Sequence, residues 1–201
     1  MRIGIDFDNT IVSYDALFHR VALERAHIPA DLPVSKLQVR DYLRSIDREP
    51  VWTELQGYVY GARMAEADMF PGVLAFLNWA RGQGHETFII SHKTLHPFMG
   101  PPYNLHDAAR EWVAARLCDK DGPLVAHDRI HFEVTKSAKL DRIATNQCDV
   151  FIDDLPEILL ATGFPPGTRP ILFDPDGAHG QPVETVVRHW DAIPPLLAPR
   201  C

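Results

Sequence analysis

Two carboxylates, Asp6 and Asp8, stand two positions apart in "RIGIDFDNTIV" (residues 2–12), just as a run of Ile and Gly ends. Carboxylates beside a buried strand are costly unless they are paired, hydrogen-bonded or bound to a cation. The same arrangement recurs further on. Asp153 and Asp154 follow "VFI", Ser91 closes "FII", and Lys136 and Lys139 sit at the start of "KSAKLDRIAT". Ligands of open α/β sheets bind beyond the carboxyl ends of the strands. If these strands are neighbours, four acids, a hydroxyl and a lysine converge on one mouth. Several carboxylates with no His or Cys among them suit a hard, oxygen-seeking cation, usually Mg2+. Such a cation takes one or two carboxylates and an oxygen of a substrate phosphate, while a hydroxyl and an ammonium hold the other phosphoryl oxygens. One Asp can serve as a nucleophile. A second, two positions on, can protonate the leaving group and later activate water.

The elements that must position these residues alternate. Ile3–Phe7, "HETFIIS", "RIHFEV", "CDVFIDD" and "RPILFD" read as strands, and "VLAFLNWARGQG", "LHDAAREWVAARLCDK", "SAKLDRIAT" and "LPEILLAT" as helices. This order predicts an α/β fold: a three-layer, doubly wound parallel sheet covered on both faces. Between the first two strands lies a helical stretch too long for one crossover. It holds "YDALFHRVALERA", "SKLQVRDYLRSI" with Ser35 as N-cap, and a third helix over "PVWTELQGYVYGARMAEA" weakened by Gly57 and Gly61. We read it as an inserted small α-helical cap over residues 13–69, with 1–12 and 70–201 forming the catalytic core. The Pro-rich tail is expected to wrap the surface around one short helix near Val183–His189.

The chain has 201 residues and a net charge of −7, which speaks against an obligate nucleic-acid binder. Cys118, Cys148 and Cys201 form no C-x-x-C, so a disulfide framework or zinc ribbon is not expected, and buried or incidental thiols are. The N-terminal stretch does not read as a signal peptide and no apolar run reaches membrane-spanning length, so a cytoplasmic address with no membrane partner is expected.

"DFDNT", "FIIS", a helix-borne Lys and "FIDD" together resemble, in order, the four motifs of the haloacid dehalogenase-like (HAD) superfamily. The likeness covers Arg2 to about Phe173, with the helical stretch at the place of that superfamily's first cap. It implies a Rossmann-like core and a Mg2+-dependent phosphatase working through an aspartyl phosphate. Carried over, Asp6 resembles the nucleophile and a metal ligand. Asp8 resembles the general acid/base, with its backbone carbonyl on the metal. Thr10 supports the loop, Ser91 binds phosphate, and Asp153 and Asp154 hold the metal. For the phosphate-binding lysine, Lys139 is favoured over Lys136. Asn9 stands where the family often has Gly, and Asn tolerates left-handed backbone better than most residues. Members that cleave carbon–halogen bonds generally lack an acid at the place of Asp8, so its presence points to phosphate monoesters. A cap implies a small phosphorylated substrate, a sugar phosphate or a nucleoside monophosphate.

Blander readings stand beside these. Asp153 and Asp154 also suit the N-cap of "LPEILLAT". His92 and His96 have i, i+4 spacing but no third ligand, and "FDPDGAHGQ" reads as a turn and not a calcium loop. His92 and Lys93 adjoin Ser91 and are candidates for substrate contact, as are Phe98 and Tyr103 in the long loop that follows. Tyr14, His19, Arg20, Arg40, Arg44 and Arg63 of the cap are more simply read as a solvated helix face. A phosphotransferase or mutase using the same aspartyl phosphate, and a catalytically silent scaffold binding a partner protein, remain the alternatives.

Overall fold

A computed structural model describes residues 1–198, so the Cys201 thiol and Pro199 lie outside the described residues. Six parallel strands form one sheet: β1 (Arg2–Ile5), β2 (Glu86–His92), β3 (Ile130–Glu133), β4 (Val150–Asp153), β5 (Arg169–Phe173) and β6 (Val186–Val187). The spatial order is β6-β5-β4-β1-β2-β3. The chain therefore builds outward from β1 in one direction, returns, and builds outward in the other from β4. The reversal between β1 and β4 is the topological switch point, where the diverging connections leave a crevice at the carboxyl ends.

Two compact units make up the chain. The first contains Met1–Ile11, Met69–Lys93 and the chain from Leu117 onward. Its sheet is apolar on both faces, as a parallel sheet between helices must be. Phe88, Ile90, Phe151 and Leu172 share a cluster with Ile143 of α6 (Lys136–Thr145) and with Ile158 and Leu159 of α7 (Pro156–Leu159). Gly4 belongs to this face because a Cβ there would stand 2.5 Å from the Phe151 ring. Elsewhere in the unit Trp190 lies 5.1 Å from Phe76 of α4 (Val73–Gly82) and 5.6 Å from Phe173, ring centre to ring centre. One expectation fails here. Val183–His189 is not helical; Val186 and Val187 form the edge strand β6, pairing in parallel with Leu172 and Phe173. Consecutive β-branched residues favour that extended backbone, and the only helical segments of the described tail come later, at Trp190–Ala192 and in α8 (Ile193–Leu197).

The second unit contains Val12–Asp68 and Thr94–Arg116. It holds α1 (Asp15–Glu24), α2 (Lys36–Ser45), α3 (Glu49–Tyr60) and α5 (Leu105–Arg116). Ser35 caps α2, its hydroxyl accepting from the backbone N–H of Leu37 at 3.2 Å. Tyr14, Phe18, Trp52 and Tyr60 form an aromatic centre, with Tyr14 and Tyr60 edge-to-face at 4.9 Å. The two glycines of the third helix have a packing reason. A Cβ on Gly57 would meet Pro97 at 2.5 Å, and one on Gly61 would meet the Tyr103 ring at 2.6 Å. Small residues there let the segment after Thr94 lie against α3. No helix among the described residues is long and apolar enough to cross a membrane.

Candidate active site

Asp6 and Asp8 follow β1 on one side of the switch point, and Asp153 ends β4 on the other. The Asp6 N–H donates to Ile152 O at 2.8 Å, continuing the β1–β4 ladder and holding the two acids side by side. Asn9 then adopts φ +59°, in the left-handed region that Asn enters more readily than most residues. The turn closes with Ile11 N–H on Phe7 O at 3.1 Å. Thr10, fully buried, accepts the Trp190 indole N–H at its carbonyl, and its hydroxyl donates to Asp154 Oδ1 at 3.4 Å. Asp153 Oδ1 accepts the N–H of Leu155 at 2.9 Å, so Asp153 fixes the turn out of β4 as well as facing the site.

Lys139 ties these strands together. It lies one turn into α6, whose N-cap Thr135 accepts from Ala138 N–H. Its ammonium donates to Asp6 Oδ1 at 2.5 Å and to Asp153 Oδ2 at 2.6 Å, and the side chain is 2 % exposed. Lys136, by contrast, is exposed at the rim and donates to Glu157 at 2.7 Å. Ser91, buried at the end of β2, lines a small pocket of about 70 Å³ with Asp6, Asp8, Lys139 and Asp154 on its polar side and Leu155 and Ile158 on its apolar side.

The electrostatics follow from burial. Desolvation pushes the Asp6 carboxyl up to about 7; the Lys139 charge opposes this, and the neighbouring Asp153 reinforces it. Burial acts on Lys139 in the opposite sense, but its two carboxylates prevail and hold its proton more firmly than usual. His92 is shifted down, first by burial and then by the Lys139 charge, which favours the neutral imidazole. Asp6, Asp153 and Asp154 each place an oxygen within 4.8 Å of the others. An all-carboxylate group of this kind fits a hard divalent cation, and two of its members share a single lysine, so negative charge remains for one.

Sequence reasoning underrated Lys93. Its ammonium donates to both Asp8 oxygens, at 2.9 and 2.8 Å, and its side chain is 3 % exposed. Adjacency to Ser91 was the signal, but a strand register was needed to aim the side chain at Asp8. Tyr14 and His19, expected on a solvated face, are buried within the helical unit, where His19 Nε2 bonds Leu32 O at 2.8 Å. Arg20 and Arg63 pair with Glu66, Arg40 with Asp41 and Arg44 with Glu49. Phe98 is exposed and Tyr103 packs in the helical unit. Asp174 accepts from the N–H groups of Ala178 and His179, which makes "FDPDGAHGQ" a turn. Cys118 is exposed and Cys148 buried.

Neither a protein-family model nor a curated protein matches the sequence. Solved structures do match it in three dimensions. A HAD-superfamily hydrolase, subfamily IA, variant 1, from Geobacter sulfurreducens PCA superposes with a TM-score of 0.58 at 11 % identity, over 98 % of this chain and 96 % of that one. The chain has the HAD fold. A HAD family hydrolase from Deinococcus radiodurans R1, solved with bound phosphate and sodium, gives 0.56 at 14 % identity over 98 % and 94 % of the two chains. A dehalogenase gives 0.56 at 12 % identity over 99 % and 97 %. In this HAD fold, the four stretches that resemble the superfamily's motifs lie at the ends of β1, β2 and β4 and at the start of α6.

Proposed function

We propose that the chain is a magnesium-dependent phosphomonoesterase acting on a small phosphorylated metabolite through an aspartyl phosphate. The observation that carries this reading is the pairing of Asp6 and Asp153 through one buried lysine, with Asp8 two residues on and Ser91 in the same pocket. The HAD fold and the phosphate bound by the Deinococcus neighbour support it. A dehalogenase shares the fold too; Asp8 favours the phosphatase, because an alkoxide leaving phosphorus needs a proton.

In this mechanism a carboxylate oxygen of Asp6 attacks phosphorus as Asp8 gives its proton to the departing ester oxygen. Asp8 then takes a proton from water, which hydrolyses the acyl phosphate. Ser91 and Lys139 hold the oxygens of the transferring group, and Lys139 also keeps Asp6 aimed. Asp6, Asp153 and Asp154, with the Asp8 carbonyl, would hold Mg2+. Bound there, the ion supplies the charge that lets an anionic nucleophile approach an anionic ester.

The test is phosphate release from a panel of sugar phosphates and nucleoside monophosphates, with Mg2+ and with chelator, for wild type and Asp6→Asn. The expected result is Mg2+-dependent release that falls by roughly 10⁴-fold or more in the variant. Release that survives Asp6→Asn removes the mechanism. Product formed only with an organic acceptor turns the reading to a phosphotransferase.

A further inference from the structure

Lys93 stands beyond what that mechanism requires. Its backbone N–H donates to Glu133 O at 2.8 Å, so the β2–β3 ladder fixes its Cα. Its ammonium lies 5.6 Å from the centre of the Phe7 ring, which is itself held edge-to-face by Phe132 at 5.4 Å. From this position it meets both oxygens of Asp8. Two donors from one ammonium set the plane of a carboxylate as well as its distance, and the strand and ring beneath leave the lysine little room to follow a displaced Asp8.

Resting on the phosphatase reading, we propose that Lys93 is a positioning residue that orients Asp8 for proton transfer to the leaving oxygen. In the first step the Asp6 oxygen bonds to phosphorus, the electrons of the P–O ester bond pass to the ester oxygen, and that oxygen takes the proton carried by one Asp8 oxygen. The other Asp8 oxygen keeps its hydrogen bond to Lys93 throughout, and the carboxylate left at the end regains both. The geometry thus serves the proton donor, while Lys139, bonded to Asp6 and not to Asp8, serves the nucleophile.

The two roles separate by leaving group. An alkyl phosphate expels an alkoxide and needs the proton, whereas p-nitrophenyl phosphate expels a stable phenolate and needs it little. The experiment measures kcat/KM for a primary alkyl phosphate and for p-nitrophenyl phosphate in wild type, Lys93→Met, Asp8→Asn and the double variant, with thermal unfolding of each. Lys93→Met is expected to lose about 10²-fold on the alkyl ester and less than about threefold on the aryl ester. In the Asp8→Asn background it is expected to change neither. Lys93→Gln, of similar length and still a donor, carries the same test where Lys93→Met does not fold, and should show the same asymmetry at smaller size. An equal loss on both esters, a change confined to KM, or a further loss beyond Asp8→Asn would overturn the assignment. Absence of turnover of either ester by folded wild type in Mg2+ is a different failure, that of the phosphatase reading itself.

Discussion

One cation bridges two carboxylates in each unit of the molecule. In the sheet unit Lys139 joins Asp6 to Asp153; in the helical unit Arg63 joins Glu24 to Glu66. The chemistry is alike and the consequences are opposite. Glu24 and Glu66, more than 40 % exposed, are drawn below the ordinary carboxylate range, chiefly by their hydrogen bonds to Arg63. Asp6, 6 % exposed, is driven above that range although its hydrogen bond is just as short. Water screens the first assembly and keeps its ions content apart or together. The second has lost its water, and one ammonium does not make good the solvation of two carboxylates. An acid left short of charge compensation while paired is an acid that a further cation would relieve. Under the phosphatase reading proposed above, that further cation is the metal, and the exposed Arg63 assembly has no such need of one.

Removing each cation sharpens the contrast. Lys139→Met leaves Asp6 and Asp153 buried against each other with no counter-charge. Breaking a buried pair in this way costs about 3–5 kcal/mol, and loss of a donor to the transferring group costs roughly 10²–10³ in kcat. Denaturant unfolding in chelator should show the loss of stability. Mg2+ should restore part of that stability, because an ion that binds only the folded chain stabilises it. An unchanged midpoint in chelator would mean that the pair is not desolvated as its burial implies.

The raised Asp6 carboxyl predicts a pH window. Folded, it holds its proton up to about 7; its ordinary value is 3.8. Between these the native state binds more protons than the unfolded state, so stability falls as pH rises. The contribution is whole below about pH 4 and lost above about pH 7. Subtracting the curve of Asp6→Asn, which does not titrate, isolates it from the exposed glutamates, whose lowered values act in the opposite direction at more acid pH. Measured in chelator, the wild-type stability should decline across this window relative to the variant, and saturating Mg2+ should flatten the difference. A relative rise would show that Lys139 outweighs desolvation.

Much of this was legible in the sequence because strand ends announce themselves. Apolar runs such as "VFI" closing on Asp153 need no tertiary information to be read as β4 ending in acid, and Ser35 before a periodic helix is a local signal. What was not legible depends on contacts distant in sequence. The edge strand at Val186 and Val187 exists because β5 offers it a partner. Gly57 and Gly61, which by propensity weaken a helix, are there for Pro97 and Tyr103, some forty residues away in sequence. The same distance hides why Thr94–Arg116 groups with the first three helices: Trp112 of α5 donates its indole N–H to Ala67 O at 3.0 Å. Lys93 meets Asp8 across 85 positions, a pairing that only the β1–β2 register creates.

Arg63→Met is the smallest of these effects and the other half of the contrast. The substitution removes two ion pairs and a cation near the Tyr58 ring, yet Arg20 remains 2.9 Å from Glu66 and 3.9 Å from Glu24. Exposed pairs add little even before such substitution, since solvent already screens them and ordering two long side chains offsets the attraction. The melting temperature should fall by less than about 3 °C, and the difference should shrink further in 0.5 M salt, at roughly half the Debye length of physiological buffer. Activity toward the preferred phosphate ester should be unchanged. The Lys139→Met loss, arising where salt does not reach, should persist at the same ionic strength. If salt erased both losses alike, or if Arg63→Met proved as damaging as Lys139→Met, burial would not be what separates the two assemblies.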